Sequence, residues 1–493
     1  MRALLAPLEE LEEYINLENA VRQSQTPVHA TGCIETQKCH FIYGLGQHHR
    51  FRVIITYNEL RAKELYEDYR LYDRNVLYYP AKDLIFYSAD VHGQAIAGER
   101  LKIIKRIVEN EESTIITTLD GGMDFCLPFL MYEKRKLTVA EGDFLNLDEF
   151  RQSLVSLGYE HTGQVEAVGQ FSVRGGIIDI FPLTEESPVR VELWGDEVDT
   201  IRSIDVESQR SVESMEQINI YPAVEIFTTE EQALEALRSI RIEMERSVAK
   251  FREEGKIEEA ARLKQAIKNF QETYEAYHGL VNLESFIRYF SRETVSFFDY
   301  FTDRDAIFFL DEPNRCMERC EAVEYEFRES MVSRLEKGYI LPGQMDVLYS
   351  LPQVLKKIQQ KRLIMISALD TTVKEIPVEQ KFSFYVQSSP SYNNNFSLLA
   401  KDIIRLKKGG YRILILSASE TRGRRLCNDL EDFGIHAFYN KDLEHELQKG
   451  EVVVSNGVLR KGFEYPNLQF VVVTESDIFG GIKKKTKKRR TYE

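Results

Sequence analysis

The chain has 493 residues, of which 43% are apolar and 29% charged, values that are ordinary for a globular protein. The formal net charge is −15, and because the last 18 residues hold seven Lys or Arg and two acids, the preceding 475 residues carry −20. A body this acidic is a poor general binder of nucleic acid, which favours a protein partner. No apolar run approaches the roughly 18 residues that cross a bilayer, no signal peptide is recognisable, and the six cysteines are scattered, so we expect a reduced, cytoplasmic protein without membrane contact.

The first 130 residues alternate short apolar segments with helical patterns, which predicts a parallel sheet flanked by helices. An amphipathic helix is predicted at the start of the chain. Predicted strands follow at residues 28–30, 52–56, 76–79 and 114–118, and predicted helices at residues 39–45, 59–69 and 98–109.

The loop after the first strand can be aligned with the phosphate-binding pattern G-x-x-x-x-G-K-[ST]. Gly32 and Lys38 match the pattern. The second glycine is replaced by Gln37, whose side chain would crowd a phosphate, and the Ser or Thr is replaced by Cys39, a soft ligand where Mg²⁺ prefers oxygen. We therefore interpret the loop as a degenerate P-loop that is kept as a structural turn and is not expected to bind nucleotide. A working nucleotide site is the alternative.

Residues 306–312, AIFFLDE, form an apolar strand that ends in two acids, as a Walker B strand does. A buried strand that ends in acids is common, and without a phosphate cradle it has nothing to hydrolyse. Cys316 and Cys320 lie one helical turn apart, but no second cysteine pair or nearby histidine completes a metal site. We expect a buried thiol pair there and no metal.

A β-rich module is predicted at residues 131–211, inserted into the α/β pattern, which resumes afterwards. Its segment VRVELW, residues 189–194, alternates with period two, so the apolar residues face one side and Arg190, Glu192 and Trp194 the other. Trp194 is the only tryptophan of the chain, and Trp and Arg are enriched at binding hot spots. From residue types alone, the alternative is a Trp194 buried under a helix and an Arg190 that is merely solvated.

Two long helices follow, with charge on their outer faces, and the simplest interpretation is a solvated helical hairpin that starts with a capping box of Thr229 and Gln232. Beyond about residue 331 we predict a separate small α/β domain of unassigned role, with strands at residues 363–367, 412–417, 452–454 and 469–474. The basic run 483–490 is typical of a linker, and non-specific attraction of this tail to nucleic acid stays open.

The segments RGGIIDIFP, PVRVELW, DEVDTIRSID and SQRS of the module closely resemble the UvrB-homology module of the transcription-repair coupling factors (Mfd), and a weaker resemblance extends over all 493 residues. The resemblance implies that the module is the docking surface for UvrA. It also implies that Arg174, Arg190 and Trp194 stand where the family's UvrA-contacting Arg, Arg and aromatic residue stand, and that the first lobe keeps the UvrB fold without its Walker motif. The short stretch between residues 78 and 100 indicates that the long DNA-gripping hairpin of UvrB is absent.

The predicted fold class is therefore α/β: a helicase-like parallel-sheet lobe with a degenerate P-loop at residues 1–130 and 212–330, an inserted α+β UvrA-docking module at 131–211, a second small α/β domain at 331–475 and a basic linker at 476–493. The predicted function is recruitment of UvrA, of nucleotide excision repair, to stalled RNA polymerase. We expect no enzyme activity, no metal and no cofactor in this part.

The resemblance further implies that the chain is a fragment of a larger protein. ATP and Mg²⁺ would serve the motor of that protein, and RNA polymerase and double-stranded DNA would be bound only through C-terminal domains absent here. A functional ATP-dependent DNA helicase or translocase lobe is the alternative, and a DNA-binding scaffold is disfavoured by the acidic body.

Overall fold

A computed structural model describes residues 1–82, 91–277 and 281–480 of the chain, with the side chains of residues 91–95 excluded. The region predicted to lack the hairpin of UvrB falls partly on residues 83–90, and the basic tail on residues 481–493, so both predictions lie outside the described residues. Within the described part, no helix is long and apolar enough to cross a membrane.

The strands are β1 Val28–Thr31, β2 Phe51–Thr56, β3 Val76–Tyr79, β4 Ser113–Thr118, β5 Leu137–Ala140, β6 Glu160–His161, β7 Gln170–Arg174, β8 Ile177–Ile180, β9 Val189–Trp194, β10 Glu197–Ile204, β11 Ser211–Met215, β12 Gln217–Ile220, β13 Ala306–Asp311, β14 Arg362–Ser367, β15 Gln380–Ser383, β16 Gln387–Ser388, β17 Arg412–Ser417, β18 Phe438–Asn440, β19 Val452–Asn456, β20 Phe463–Tyr465 and β21 Phe470–Thr474. The helices are α1 Arg2–Leu5, α2 Glu12–Arg22, α3 Gln37–Gly46, α4 Glu59–Tyr69, α5 Val91–Val108, α6 Phe129–Arg135, α7 Leu147–Ser156, α8 Glu230–Glu253, α9 Ile257–Ala276, α10 Ile287–Phe290, α11 Pro313–Glu336, α12 Leu351–Gln359, α13 Phe396–Lys408, α14 Glu420–Glu431 and α15 Glu475–Phe479.

The first lobe is built on a seven-stranded sheet in the order β15-β1-β14-β13-β2-β4-β3, and its strand pairs are all parallel. Parallel strands covered on both faces need apolar residues along their whole length, and every residue of β2, β4 and β13 is buried. The α/β fold class predicted from the alternation of strands and helices is confirmed.

The first lobe extends further along the chain than the sequence indicated. The sequence pattern predicts that residues 363–367 belong to a separate domain that starts at residue 331, but β14 lies between β1 and β13, and β15 pairs with β1. The lobe therefore reaches Ser383. The two sheets cannot be told apart by periodicity, because a strand buried on both faces shows a continuous apolar run whichever sheet it joins.

The inserted module is a six-stranded sheet in the order β11-β10-β9-β8-β7-β6, covered on one face by α7. A two-stranded antiparallel ribbon of β5 and β12 joins it to the lobe. Ile218 and Ile220 of β12 are buried in the same core as Val191 of β9, so the module ends later than the predicted residue 211.

The two long helices α8 and α9 form the predicted hairpin, and the capping box of Thr229 and Gln232 is present. Gly255 connects them with a φ of +75°, a conformation that favours glycine. One side of the hairpin is not solvated but packs on the lobe, because Ile240 and Leu263 are buried in its core.

The second sheet has the order β16-β20-β21-β17-β19-β18. Helices α13 and α14 cover one of its faces. Its other face packs on the first lobe, since Leu414 and Val453 share a core with Phe41 of α3 and Leu65 of α4. This packing brings the second sheet against the loop at Gly32.

Candidate functional site

The outer face of the inserted sheet carries the three residues predicted to bind a partner. In β9, Val189 and Val191 are buried in the module core, and the alternate positions face outward, as the period of two predicts. Trp194 ends the strand with 83% of its surface exposed. The alternative of a tryptophan buried under a helix is therefore excluded.

A buried carboxylate organises the two arginines of this face. Asp179 of β8 is fully buried and lies directly opposite Arg190 in the strand register. Arg190 donates from Nε to Oδ1 at 2.6 Å and from Nη2 to Oδ2 at 2.9 Å, and Arg174 donates from Nη2 to Oδ2 at 2.8 Å. A carboxylate removed from water requires such partners. Sequence reasoning missed Asp179, although the alternation of IIDIF puts it on the outer face.

The two arginines differ in what they can offer a partner. The side chain of Arg190 is 14% exposed, and its remaining Nη1 donates to the carbonyl of Gln209 at 3.3 Å. The hydrogen bond to Asp179 raises the pKa of Arg190, so the group stays charged. The side chain of Arg174 is 48% exposed and is held by one nitrogen only. Arg174 and Trp194 are thus accessible at the surface, whereas Arg190 is held mainly by contacts within the face.

The loop at Gly32 is covered by two other segments of the chain, one at Phe384 and one at Lys461. Gly32 has a φ of +78°, and a Cβ at this position would lie 1.9 Å from the carbonyl oxygen of Phe384, just after β15. Thr36 donates its hydroxyl to the carbonyl of Lys461 at 2.7 Å, and the guanidinium of Arg460 donates to Asp68 at 2.8 Å, so the second sheet is tied down over the loop.

Gln37, which replaces the second glycine, is fully buried in a chain of hydrogen bonds. Its Nε2 donates to the hydroxyl of Tyr465 at 2.9 Å, and this hydroxyl lies 2.9 Å from Nδ1 of His40. Nε2 of His40 is 2.7 Å from the carbonyl of Leu4 and must donate to it. Burial lowers the pKa of the imidazole to about 4, so near pH 7 the ring is neutral and its Nδ1 accepts from the hydroxyl of Tyr465.

Lys38 meets the two acids at the end of β13, so the P-loop-like and Walker B-like segments come together. Its Nζ lies 2.6 Å from Oδ1 of Asp311 and 2.5 Å from Oε1 of Glu312. Oδ2 of Asp311 accepts from Thr56 at 2.9 Å and from Arg61 at 3.2 Å. Two cations, Lys38 and Arg61, thus face two carboxylates, so Lys38 is already paired.

The ionisation of this cluster follows from its contacts. Burial alone would lower the pKa of Lys38, but the attraction of the two carboxylates outweighs it and the pKa is raised. Burial alone would raise the pKa of Asp311, but Lys38 and Arg61 lower it. Cys39 is fully buried, and burial raises the pKa of its thiol.

One further group of side chains in the described residues has the composition of a metal site: Asp124, Cys126 and Glu225. Arg100 already donates to both oxygens of Asp124, at 2.6 and 3.1 Å, and to Glu225 at 3.1 Å. Lys82 lies 2.9 Å from the other oxygen of Glu225. Both carboxylates of this group are therefore already paired with cationic side chains.

Known proteins match both the module and the chain around it. A family model described as the UvrB interaction domain matches residues 137–226, from β5 to just beyond β12. The transcription-repair-coupling factor of Bacillus subtilis is 30% identical over 440 residues, which cover 89% of this chain and 37% of that protein. The protein of the same name from Staphylococcus epidermidis is 28% identical over 451 residues, which cover 90% and 37%. The chain therefore spans little more than a third of the length of these relatives, and the matches indicate similarity to the N-terminal region of the transcription-repair-coupling factors, with the UvrB interaction domain model matching residues 137–226.

Proposed function

We propose that this chain recruits UvrA through the outer face of its inserted sheet, with Trp194 and Arg174 in direct contact and Arg190 holding the face in place. The observation that carries the proposal is the exposure of Trp194 on a well-packed sheet, in a segment that the UvrB interaction domain model covers. An exposed indole supplies a large apolar contact, and an arginine beside it can fork onto a carboxylate of the partner.

We also propose that this chain hydrolyses no nucleotide. A P-loop needs an open backbone cradle and a lysine free for phosphate, whereas here Gln37 is hydrogen bonded in the core and Lys38 is paired with Asp311. Contacts with RNA polymerase and double-stranded DNA belong, in this proposal, to portions of the longer relatives that the chain does not span.

The test is a titration with purified UvrA, followed by the fluorescence of the single tryptophan. Binding should shift or quench the emission. Arg174→Ala should weaken the affinity by about 1–3 kcal/mol, roughly 5- to 150-fold. Because Trp194→Ala removes the reporter, its affinity is measured by calorimetry, and a loss in the same range is expected.

The matched control is Arg425→Ala, which removes another exposed arginine, on α14, far along the chain from the module. It should leave the affinity unchanged. Wild-type affinity in both Arg174→Ala and Trp194→Ala, or no binding of UvrA at all, would overturn the proposal.

The alternative of a working ATP-dependent lobe makes the opposite prediction for nucleotide. The wild-type chain should show no rise in melting temperature at millimolar ATP and Mg²⁺, since its loop is occupied by side chains and by the carbonyl of Phe384. A nucleotide-dependent rise would favour the motor.

A further inference from the structure

The docking face continues past Trp194 to a second exposed aromatic residue, Phe144, in the loop between β5 and α7. Glu197, the first residue of β10, pairs with Trp194 on one side and forms an antiparallel bridge with Phe144 on the other. Residues that pair across strands point to the same side of a sheet, so these three side chains form one row. With strands about 4.8 Å apart, the two aromatic residues are about 10 Å apart with the acid between them.

Both rings are largely exposed, at 78% for Phe144 and 83% for Trp194. A single exposed aromatic residue needs no explanation, but two that flank one acid, at the rim of a face already proposed to bind a protein, form a continuous binding surface.

The loop that carries Phe144 is fixed by its backbone. Gly142 donates to the carbonyl of Val198, and Val198 donates to the carbonyl of Asp143, both at 2.8 Å. Leu145 donates to the carbonyl of Asp196, also at 2.8 Å, and packs on the module core. The hydrogen bonds hold the backbone that carries the Phe144 ring, so little conformational entropy of the loop is lost when a partner covers the ring.

The charge of the row indicates what it binds. Glu197 is exposed and makes no ion pair among the described residues, whereas the arginines lie further along the same face. An acid between two aromatic faces suits a long basic side chain, whose stem packs on the rings and whose cation meets the carboxylate.

We propose that Phe144, Glu197 and Trp194 form a receptor for an arginine or lysine side chain of UvrA. This inference rests on the proposed function and deepens it. A partner that places an acid at Arg174 and a base at Glu197 can dock in one orientation only, so the row contributes to specificity as well as to affinity.

The experiment measures the affinity of purified UvrA for Phe144→Ala and Glu197→Gln variants of the whole chain at two salt concentrations. Phe144→Ala should weaken binding by at least about fivefold. Glu197→Gln should weaken it and also reduce its salt dependence, because a charge pair across the interface is lost. Melting temperatures should stay unchanged, since both side chains are exposed. Tyr325→Ala, an aromatic 66% exposed on α11, and Asp199→Asn, an exposed acid in β10, are the matched controls.

The outcomes separate this inference from the proposed function. If Phe144→Ala and Glu197→Gln bind like the wild type while Trp194→Ala binds weakly, the row is not a receptor but the docking face stands. If all three bind like the wild type, both ideas fail. A dimer of this chain alone, seen by light scattering and abolished by Phe144→Ala, would mean that a second copy covers the row and would also overturn the inference.

Discussion

Replacing Lys38 by methionine should destabilise the first lobe, because the substitution leaves a buried carboxylate without its main partner. The side chains of Lys38 and Asp311 are 4% and 1% exposed. Breaking a buried pair from one side costs about 3–5 kcal/mol. Because Arg61 and Thr56 still contact Asp311, we expect about 3 kcal/mol.

The assay is urea unfolding followed by far-ultraviolet circular dichroism, for Lys38→Met, Asp311→Asn and the double variant. The double variant should lose less than the sum of the two single losses, because neither charge is then left alone. Lys63→Met is the control: this lysine of α4 is 62% exposed and pairs with Glu59 at the surface, so its loss should cost under about 0.5 kcal/mol.

A working P-loop predicts the reverse pattern. Its lysine would be free for phosphate, so the substitution would abolish nucleotide binding and leave stability nearly unchanged. A Lys38→Met chain as stable as the Lys63→Met control, together with a wild-type chain stabilised by ATP and Mg²⁺, would refute the argument that the loop is closed by its own ion pairs.

Three further outcomes follow from the same contacts. Arg190→Ala should lower the unfolding free energy of the module by about 2–3 kcal/mol, and Arg174→Ala by under about 1 kcal/mol, because only the former holds the buried acid with two nitrogens; equal denaturation midpoints would contradict this. The pKa of His40 falls from 6.5 to about 4 on folding, so its contribution to stability is complete above pH 6.5 and declines as the pH falls towards 4, by about 2 kcal/mol at pH 5. His40→Gln should flatten the dependence of the unfolding free energy on pH, and an unchanged dependence would contradict the role assigned to His40. Gly32→Ala should lower the free energy of unfolding by about 3 kcal/mol or more, as measured by thermal unfolding. Gly142→Ala, also at positive φ but with open space around it, should lower it by about 1 kcal/mol. Similar losses would contradict the close contact between Gly32 and the carbonyl of Phe384.

The sequence was sufficient to predict the features that depend on local residue patterns. The alternation of VRVELW puts Trp194 on the outer face of β9, and the capping signal at Thr229 marks the start of α8, because both depend on residues a few positions apart. The altered P-loop pattern likewise drew attention to Gln37, which is fully buried in the structure.

Contacts between segments far apart in the chain could not be predicted from the sequence. Gln37 reaches Tyr465 across 428 positions, and β14 inserts between β1 and β13, and neither contact leaves a periodic trace in the chain. The internal role of Arg190 was missed for the same reason. Which acid an arginine meets depends on strand register, and the register became visible only once β8 and β9 were seen paired.

The ribbon of β5 and β12 has a consequence for how such a protein arises. Leu137 faces Ile220 across the ribbon, so the chain leaves the first lobe and returns to it at neighbouring points about 5 Å apart. A tight turn can bridge that gap, and most of the buried apolar residues beyond it form a core of their own, with Leu183 packed instead in the core of the lobe. The inserted module could therefore be gained or lost during evolution with little change to the strand order of the parallel sheet.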